Sequence, residues 1–311
     1  MSTHAKIAVL LSTYNGAKFL AEQLDSLFAQ SYQDFVLVVR DDGSSDNTVS
    51  ILQAYAQQHG DRIRLLPRDD RNFGASGGFA FLIDYVLGNK ESLGLNSAYM
   101  MFCDQDDTWF PEKLEKQFSA MLEAEELAPS PIPILVHSDL EVVSEQNTVI
   151  AKSLIHYQGL EIERNRFPNL VISNLVTGCT ALINENLAQK ALPIPENAIM
   201  HDWWLALVAT AFGRLIYLDI PLVHYRQHGN NTIGAKEYTK VSAASIALWR
   251  RLLVRKPNEH LLEVSVQAAA FRRRYAGELT SRQGLSLRIC GGMGIKIGIL
   301  QRVMYRLARR F

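Results

Sequence analysis

Five short runs of apolar residues punctuate the first half of the chain: Ile7–Leu11, Phe35–Val39, Ile63–Leu66, Tyr99–Phe102 and Ile134–Val136. Each is short and apolar at nearly every position, the pattern of a strand buried on both faces. Between the first two, Phe19, Leu20, Leu24, Leu27 and Phe28 recur at three- and four-residue spacing, with Glu22, Gln23 and Asp25 turned away, which predicts a helix. A second helix starts near Asp46–Asn47, where a short acceptor side chain can cap it, and runs through Val49, Ile51, Leu52 and Tyr55. Leu82–Leu87 and Pro111–Glu126 supply two more, Pro111 standing where its missing N–H costs least. Strands alternating with helices predict an α/β domain around a mostly parallel sheet.

The chain has 311 residues, 48% of them hydrophobic, enough to bury one large core and carry an appendage. Its three cysteines, Cys103, Cys179 and Cys290, are far apart and lack metal-ligand spacing, so a reducing cytoplasm is expected rather than a disulfide framework. Ile7–Leu11 is too short for a signal-peptide core, and no apolar run reaches the roughly 20 residues of a membrane span. The zero net charge hides an asymmetry: residues 240–311 hold 15 Lys and Arg against 3 Asp and Glu, leaving 17 against 29 in residues 1–239. Nucleic acid is not the expected partner of that basic tail, because the body carries no recognisable reading module.

In a parallel sheet, ligands bind beyond the carboxyl ends of the strands. The first run ends in Ser12-Thr13-Tyr14-Asn15-Gly16, which suits either a nucleotide-base pocket with Tyr14 stacking or a plain strand-to-helix turn. The second ends in Arg40-Asp41-Asp42-Gly43-Ser44-Ser45-Asp46, where a carboxylate can accept the imide N–H of uracil or thymine while Asp46 caps the next helix. The third leads to Arg68, Arg71, Asn72, Phe73, Gly74 and Gly77-Gly78, a combination of phosphate-binding guanidinium groups and close-approach glycines, or solvated loop charges. The fourth drives into Asp104-Gln105-Asp106-Asp107. Three carboxylates so close repel one another unless a cation or a shared proton intervenes. Two chemistries fit: a Mg2+ or Mn2+ site gripping a substrate diphosphate, or an aspartyl nucleophile with its own magnesium.

Taken together, Ser12-Thr13-Tyr14-Asn15-Gly16, Asp41-Asp42-Gly43-Ser44-Ser45-Asp46 and Asp104-Gln105-Asp106-Asp107-Thr108-Trp109 resemble the family 2 glycosyltransferases, in order and spacing, over roughly residues 5–232. The resemblance implies a GT-A (Rossmann-like, nucleotide-sugar-binding) fold over residues 1–235, with a nucleotide-binding half (1–107), an acceptor-binding half (108–235) and a basic helical C-terminal region (236–311). It implies that Thr13, Tyr14 and Asp42 surround the base with Asp41 in support, and that Asn15, Arg71, Asp104 and Gln105 complete the nucleotide-binding set. Asp104 and Asp106 occupy the family's DxD positions, Asp107 is a secondary metal candidate, and His228 is the histidine brought to the metal. Asp202, in Met200-His201-Asp202-Trp203-Trp204, corresponds to the catalytic base, with Trp203 beside it and Arg226 or Gln227 reaching phosphate when their loop closes. Read without the resemblance, Asp202 has an alternative as N-cap for the helix from Trp203 to Phe212, a role that can coexist with that of a base.

Within the family, His201-Asp202-Trp203-Trp204 with Tyr225–Thr232 looks like the bacterial rhamnosyltransferase branch. That implies a dTDP- or UDP-sugar donor, dTDP-L-rhamnose foremost, and a lipid-linked surface glycan as acceptor. The tail offers apolar edges with basic rims, Leu248, Leu252 and Leu253 beside Trp249, Arg250, Arg251, Arg255 and Lys256, then Ile299, Leu300, Val303, Met304 and Leu307 beside Lys296, Arg302, Arg306, Arg309 and Arg310. Such helices suit the anionic inner face of a cytoplasmic membrane, the acidic body, or a second subunit in a homodimer. Two other readings compete: a non-catalytic nucleotide-sugar-binding protein, and a phosphatase using Asp104-Gln105-Asp106-Asp107-Thr108 as DxDxT, which leaves Ser12–Gly16 and Asp202 unexplained.

Overall fold

The computed structural model describes residues 5–67, 71–229 and 258–310. Nine strands form one sheet: β1 (Ile7–Thr13), β2 (Phe35–Asp41), β3 (Ile63–Leu65), β4 (Tyr99–Cys103), β5 (Thr108–Trp109), β6 (Ile134–Ser144), β7 (Val149–Ala151), β8 (Ala181–Ile183) and β9 (Arg214–Gln227). Their order is β3-β2-β1-β4-β8-β6-β9-β5, with β7 on the outer part of β6. The first four strands are mutually parallel and β6 runs parallel to β9, while β8 lies antiparallel between β4 and β6. All five runs read from the sequence are strands.

Helices cover both faces: α1 (Leu20–Phe28), α2 (Thr48–His59), α3 (Gly74–Gly88), α4 (Lys90–Leu93), α5 (Lys113–Glu126), α6 (Leu154–Gln158), α7 (Phe167–Leu170), α8 (Glu185–Ala191) and α9 (His201–Phe212). Alternate residues of β1 feed opposite cores, Ile7, Val9 and Leu11 on the α1 and α5 side, Ala8 and Leu10 on the α3 and α9 side. That explains a run with no polar alternation.

Three elements differ from the sequence expectation. Helix α3 begins at Gly74, well before Leu82, so Gly77 and Gly78 are helical and not loop. At Gly78 a Cβ would stand 2.6 Å from Ser12 Oγ, so the glycine lets α3 press against the end of β1. The polar stretch after Leu222 is not a loop until Gln227, because β9 continues through Val223–Gln227 and pairs with β6 and β5. Asp202 is not an N-cap: Met200 holds that position in α9, and Asp202 lies in the first turn.

The C-terminal helices α10 (Glu259–Arg274), α11 (Ser281–Gly291) and α12 (Gly298–Ala308) are joined to the α/β body. Phe271 and Tyr275 pack on Trp204 and Phe212, and Leu261, Val264, Leu287 and Cys290 belong to the same core as α3 and α9. The fold is therefore an α/β mostly parallel sheet with a helical C-terminal extension fused to one face. Arg68 and the Leu248–Lys256 segment lie outside the described residues. Among those described, no helix is long and apolar enough to cross a membrane.

Candidate active site

The carboxyl ends of β1, β2 and β4 open onto a cleft of about 780 Å³, closed on the far side by α6, residues 174–178, the start of α9 and His260 of α10. Thr13, Tyr14, Asp42, Asp104, Gln105, Asp106, Asp202 and Trp203 all line it, so residues separated by up to 190 positions in sequence converge there.

The β1 and β2 turns are laced together. Asp41 accepts from Thr13 Oγ1 at 2.9 Å, from Ser44 N at 2.8 Å and from Gly43 N at 3.1 Å, so its carboxylate shapes the turn and does not face the cleft. Asn15 sits in the left-handed region, φ 48°, which asparagine tolerates better than most side chains. Its N–H donates to Ser44 Oγ at 2.8 Å and its Oδ1 accepts from Ser45 N at 2.8 Å, so Asn15 also holds the turn. Tyr14, 52% exposed, is left projecting at the cleft mouth. Its backbone is pinned by Gln105, whose amide accepts from Tyr14 N at 2.9 Å and donates to Tyr14 O at 3.0 Å.

Asp42 is buried, ion-paired with Arg40, and accepts from Phe73 N at 3.1 Å. Arg40 in turn stacks over Phe73, 4.2 Å from the ring centroid, and donates to the Arg71 carbonyl at 2.7 Å. Arg71 lies with its guanidinium 5.0 Å from the same ring and is not among the residues lining the cleft.

The acidic cluster divides in two. Asp104 and Asp106 face the cleft, and Asp106 Oδ2 is 2.7 Å from His228 Nε2. Asp107 is fully buried behind it, accepting from Arg226 N at 3.1 Å and from the Cys179 thiol. Burial, then the charges of Asp106 and Asp202, push Asp104 up to about 7. Burial, then Asp106 and Asp104, holds Asp107 well above the carboxylate range.

Ligand atoms of Asp104, Asp107 and Cys179 come within 4.8 Å of one another. Burial keeps the Cys179 thiol protonated, so it serves as a hydrogen-bond donor and is a poor partner for a hard cation. Asp104 and Asp106 line the cleft and His228, which does not, is paired with Asp106, so these three do not converge as Asp104, Asp107 and Cys179 do. A divalent cation held by the carboxylates would offset the repulsion between Asp104 and Asp106.

Arg226 has a different post from the phosphate contact expected of it. Its guanidinium donates to Glu22 at 2.6 Å, to the Asp106 carbonyl at 2.9 Å and to the Glu145 carbonyl at 3.0 Å, and it is 1% exposed. It braces the acidic turn from behind. Gln227, partly buried at the end of β9, does not line the cleft either.

Asp202 enters from the opposite wall. It is 6% exposed, accepts from Trp203 N at 2.6 Å, and receives further hydrogen bonds from Gly178 N and the Asn174 side chain. Burial outweighs these bonds and raises its pKa to about 7. Trp203 is fixed by its indole N–H, 2.6 Å from the Leu170 carbonyl, and stacks against His260 with ring centroids 5.7 Å apart.

Sequence reasoning missed Asn174 and Gly178, which meet Asp202 only through the fold, His260, which reaches the cleft against Trp203, and Lys113, fully buried and close to the charge of Asp107. Lys113 stands 3.8 Å from the Trp109 ring centroid, and burial lowers its pKa to about 7. An isolated lysine on an amphipathic helix gives no sequence signal of burial.

Comparison with known proteins agrees with this geometry. The model of glycosyl transferase family 2 matches residues 8–188. The chain is 28% identical over 261 residues to a dTDP-rhamnosyl transferase, RfbG, of Shigella flexneri, covering 79% of this chain and 81% of that one. It is 32% identical to the putative glycosyltransferase EpsE of Bacillus subtilis over 117 residues, 38% of each chain. Among solved structures, S. aureus TarS 1–349 with UDP-GlcNAc superposes with a TM-score of 0.56 at 15% identity, covering 93% of this chain and 71% of that one. The mannosyltransferase PcManGT from Pyrobaculum calidifontis, solved with GDP-Man and Mn2+, gives 0.54 at 13% identity over 99% and 80%. The fold, the opposed acidic walls of the cleft and the family match lead to one conclusion: this chain belongs to glycosyl transferase family 2 and is a glycosyltransferase of the GT-A fold.

Proposed function

We propose that the protein is a metal-dependent, inverting hexosyltransferase that moves L-rhamnose from dTDP-L-rhamnose to a hydroxyl of a lipid-linked glycan during assembly of a bacterial surface polysaccharide. The observation that carries the reaction type is the facing of Asp104 and Asp106 on one wall by Asp202 on the other within a single cleft. The donor sugar rests on the likeness to the Shigella flexneri transferase.

In this reading Thr13, Tyr14 and Asp42 receive the base, with Asp41, Asn15 and Gln105 fixing the turn that presents them. Asp104, Asp106 and His228 hold the divalent cation, which when bound offsets the charge of the diphosphate leaving group. Asp202 accepts the proton of the acceptor hydroxyl as that oxygen attacks the anomeric carbon. The bond from that carbon to the diphosphate oxygen breaks, the electron pair leaves with the nucleoside diphosphate, and the configuration inverts. The acceptor ring stacks against the Trp203 and His260 wall, beside the apolar side chains of Leu160, Leu175, Val176 and Met200. The basic C-terminal helices hold the protein peripherally at an anionic membrane, where a lipid-linked acceptor resides.

The test is a thermal-shift panel of dTDP, UDP, GDP and CMP, each with and without Mn2+, followed by transfer from the stabilising donor to a lipid-linked glycan. Stabilisation by dTDP that needs Mn2+ is expected. A preference for GDP or CMP sinks the donor assignment, and stabilisation indifferent to metal with Asp104→Ala and Asp106→Ala sinks the cation site.

A further inference from the structure

Helices α10 and α11 enclose a second pocket, of about 610 Å³, that shares no lining residue with the cleft. Three arginines surround it: Arg272 and Arg273 from the end of α10 and Arg288 from α11. All three are exposed, and none has an ion pair or hydrogen bond among the described residues. Residues 264–311 contain a single acid, Glu278, and it is bonded to Lys190 on the body. Three like charges around one concavity repel each other, and an anion seated among them would relieve what solvent screening leaves of that repulsion.

The concavity also suits phosphate in shape and field. Guanidinium forks match phosphate oxygens, and the positive end of the α11 dipole reaches the pocket at Thr280 and Ser281. Between the arginines the pocket is lined by Ala269, Ala276 and Leu279. Outside it, Val266, 47% exposed, shares a face of α10 with Arg273, and Leu285, 46% exposed, shares a face of α11 with Ser281 and Arg288. A free inorganic anion has no use for such apolar surface, whereas an amphiphile does. Beside α11, helix α12 continues the theme, with Ile299, Leu300, Val303 and Leu307 between 42% and 48% exposed and Arg302, Arg306 and Arg310 along their edges.

We propose that this pocket binds the phosphate headgroup of an anionic phospholipid, with the diester seated among Arg272, Arg273 and Arg288 and the acyl chains leaving past Val266 and Leu285. The proposal deepens the peripheral-membrane part of the reading above, since it assigns a discrete site where that reading needs only diffuse attraction.

The full chain is titrated calorimetrically with dihexanoyl phosphatidylglycerol below its micelle concentration, with dihexanoyl phosphatidylcholine, and with inorganic phosphate. The Arg273→Gln/Arg288→Gln pair is compared with Arg306→Gln/Arg310→Gln, the same charge change outside the pocket. Saturable one-to-one binding of the phosphatidylglycerol is expected, weakened at least about tenfold in the pocket pair and retained by the α12 pair, as loss of charge-assisted hydrogen bonds requires. Equal weakening by both pairs, or absence of binding, overturns the pocket. Inorganic phosphate binding as tightly as the lipid overturns the lipid and leaves a small-anion site. Flotation with phosphatidylglycerol vesicles separates the two claims: a wild-type chain that binds the short-chain lipid but does not float rejects membrane attachment and keeps the pocket. One that floats without short-chain binding does the reverse.

Discussion

Asp202 shows how a single carboxylate is prepared by its surroundings. Burial raises its pKa to about 7, so the proton-accepting form predominates only above that pH. For a base the sign is direct: transfer should rise as pH climbs through about 7, measured as kcat at saturating donor and cation. Asp202→Asn should lower kcat by about a hundred- to ten-thousandfold and abolish that rise. Nucleoside diphosphate binding, followed by thermal shift, should persist, and unchanged turnover would remove Asp202 from the chemistry. The placement of Asp202 at the cleft was legible because it stands in the first turn of an apolar helix, in a sequence context that resembles the family's. His260 was not, because it comes from another helix and reaches the cleft only after that helix packs on Trp203. Arg226 misled for a related reason: a conspicuous charge in a polar stretch reads as a ligand contact, yet strand pairing turns it inward onto Glu22 and two carbonyls.

Strands were easier to read than the helices beside them. A strand buried on both faces announces itself by an uninterrupted apolar run, and β1, β2, β4 and the start of β6 did, while β3 was readable despite exposed Arg64 at its centre. Antiparallel β8 did not, since Ala181–Ile183 is too short to stand out from its neighbourhood. Helix α3 was hidden by its own glycines, which local propensity assigns to a loop and which are kept by the approach to β1. Gly78→Ala tests that account. Helix propensity alone would favour the alanine, but a Cβ 2.6 Å from Ser12 Oγ forces the helix or the β1 turn to move. Overpacking of this kind costs about 1–3 kcal/mol, so a lower urea midpoint and weaker nucleotide binding are expected. An unaltered midpoint would show that Ser12 simply rotates away. In the core that α3 shares, Phe271→Ala should cost about 3–5 kcal/mol in urea unfolding, as for a large aromatic removed from a packed core. The transition should remain single, because Phe271 of α10 and Trp204 of α9 share that core.

At the scale of the whole molecule, charge is segregated along the chain while the core is not. Residues 240–311 carry nearly half of the Lys and Arg and under a tenth of the Asp and Glu, yet α10 and α11 contribute to the core beneath the catalytic cleft. Association with phosphatidylglycerol vesicles should therefore weaken steeply as salt shortens the Debye length from about 10 Å at 0.1 M to about 3 Å at 1 M. Binding insensitive to salt would point to the apolar ridge of α12 as the dominant attachment. Cutting the chain near residue 235 would strip Trp204 and Phe212 of Phe271 and Tyr275, which cover them. The position of His260 in the cleft has a consequence for biosynthesis. The turns after β1 and β2 precede His260 by most of the described sequence, so a chain emerging from the ribosome can form its first strands while that wall is still missing. The cleft is complete only once α10 has docked on Trp203.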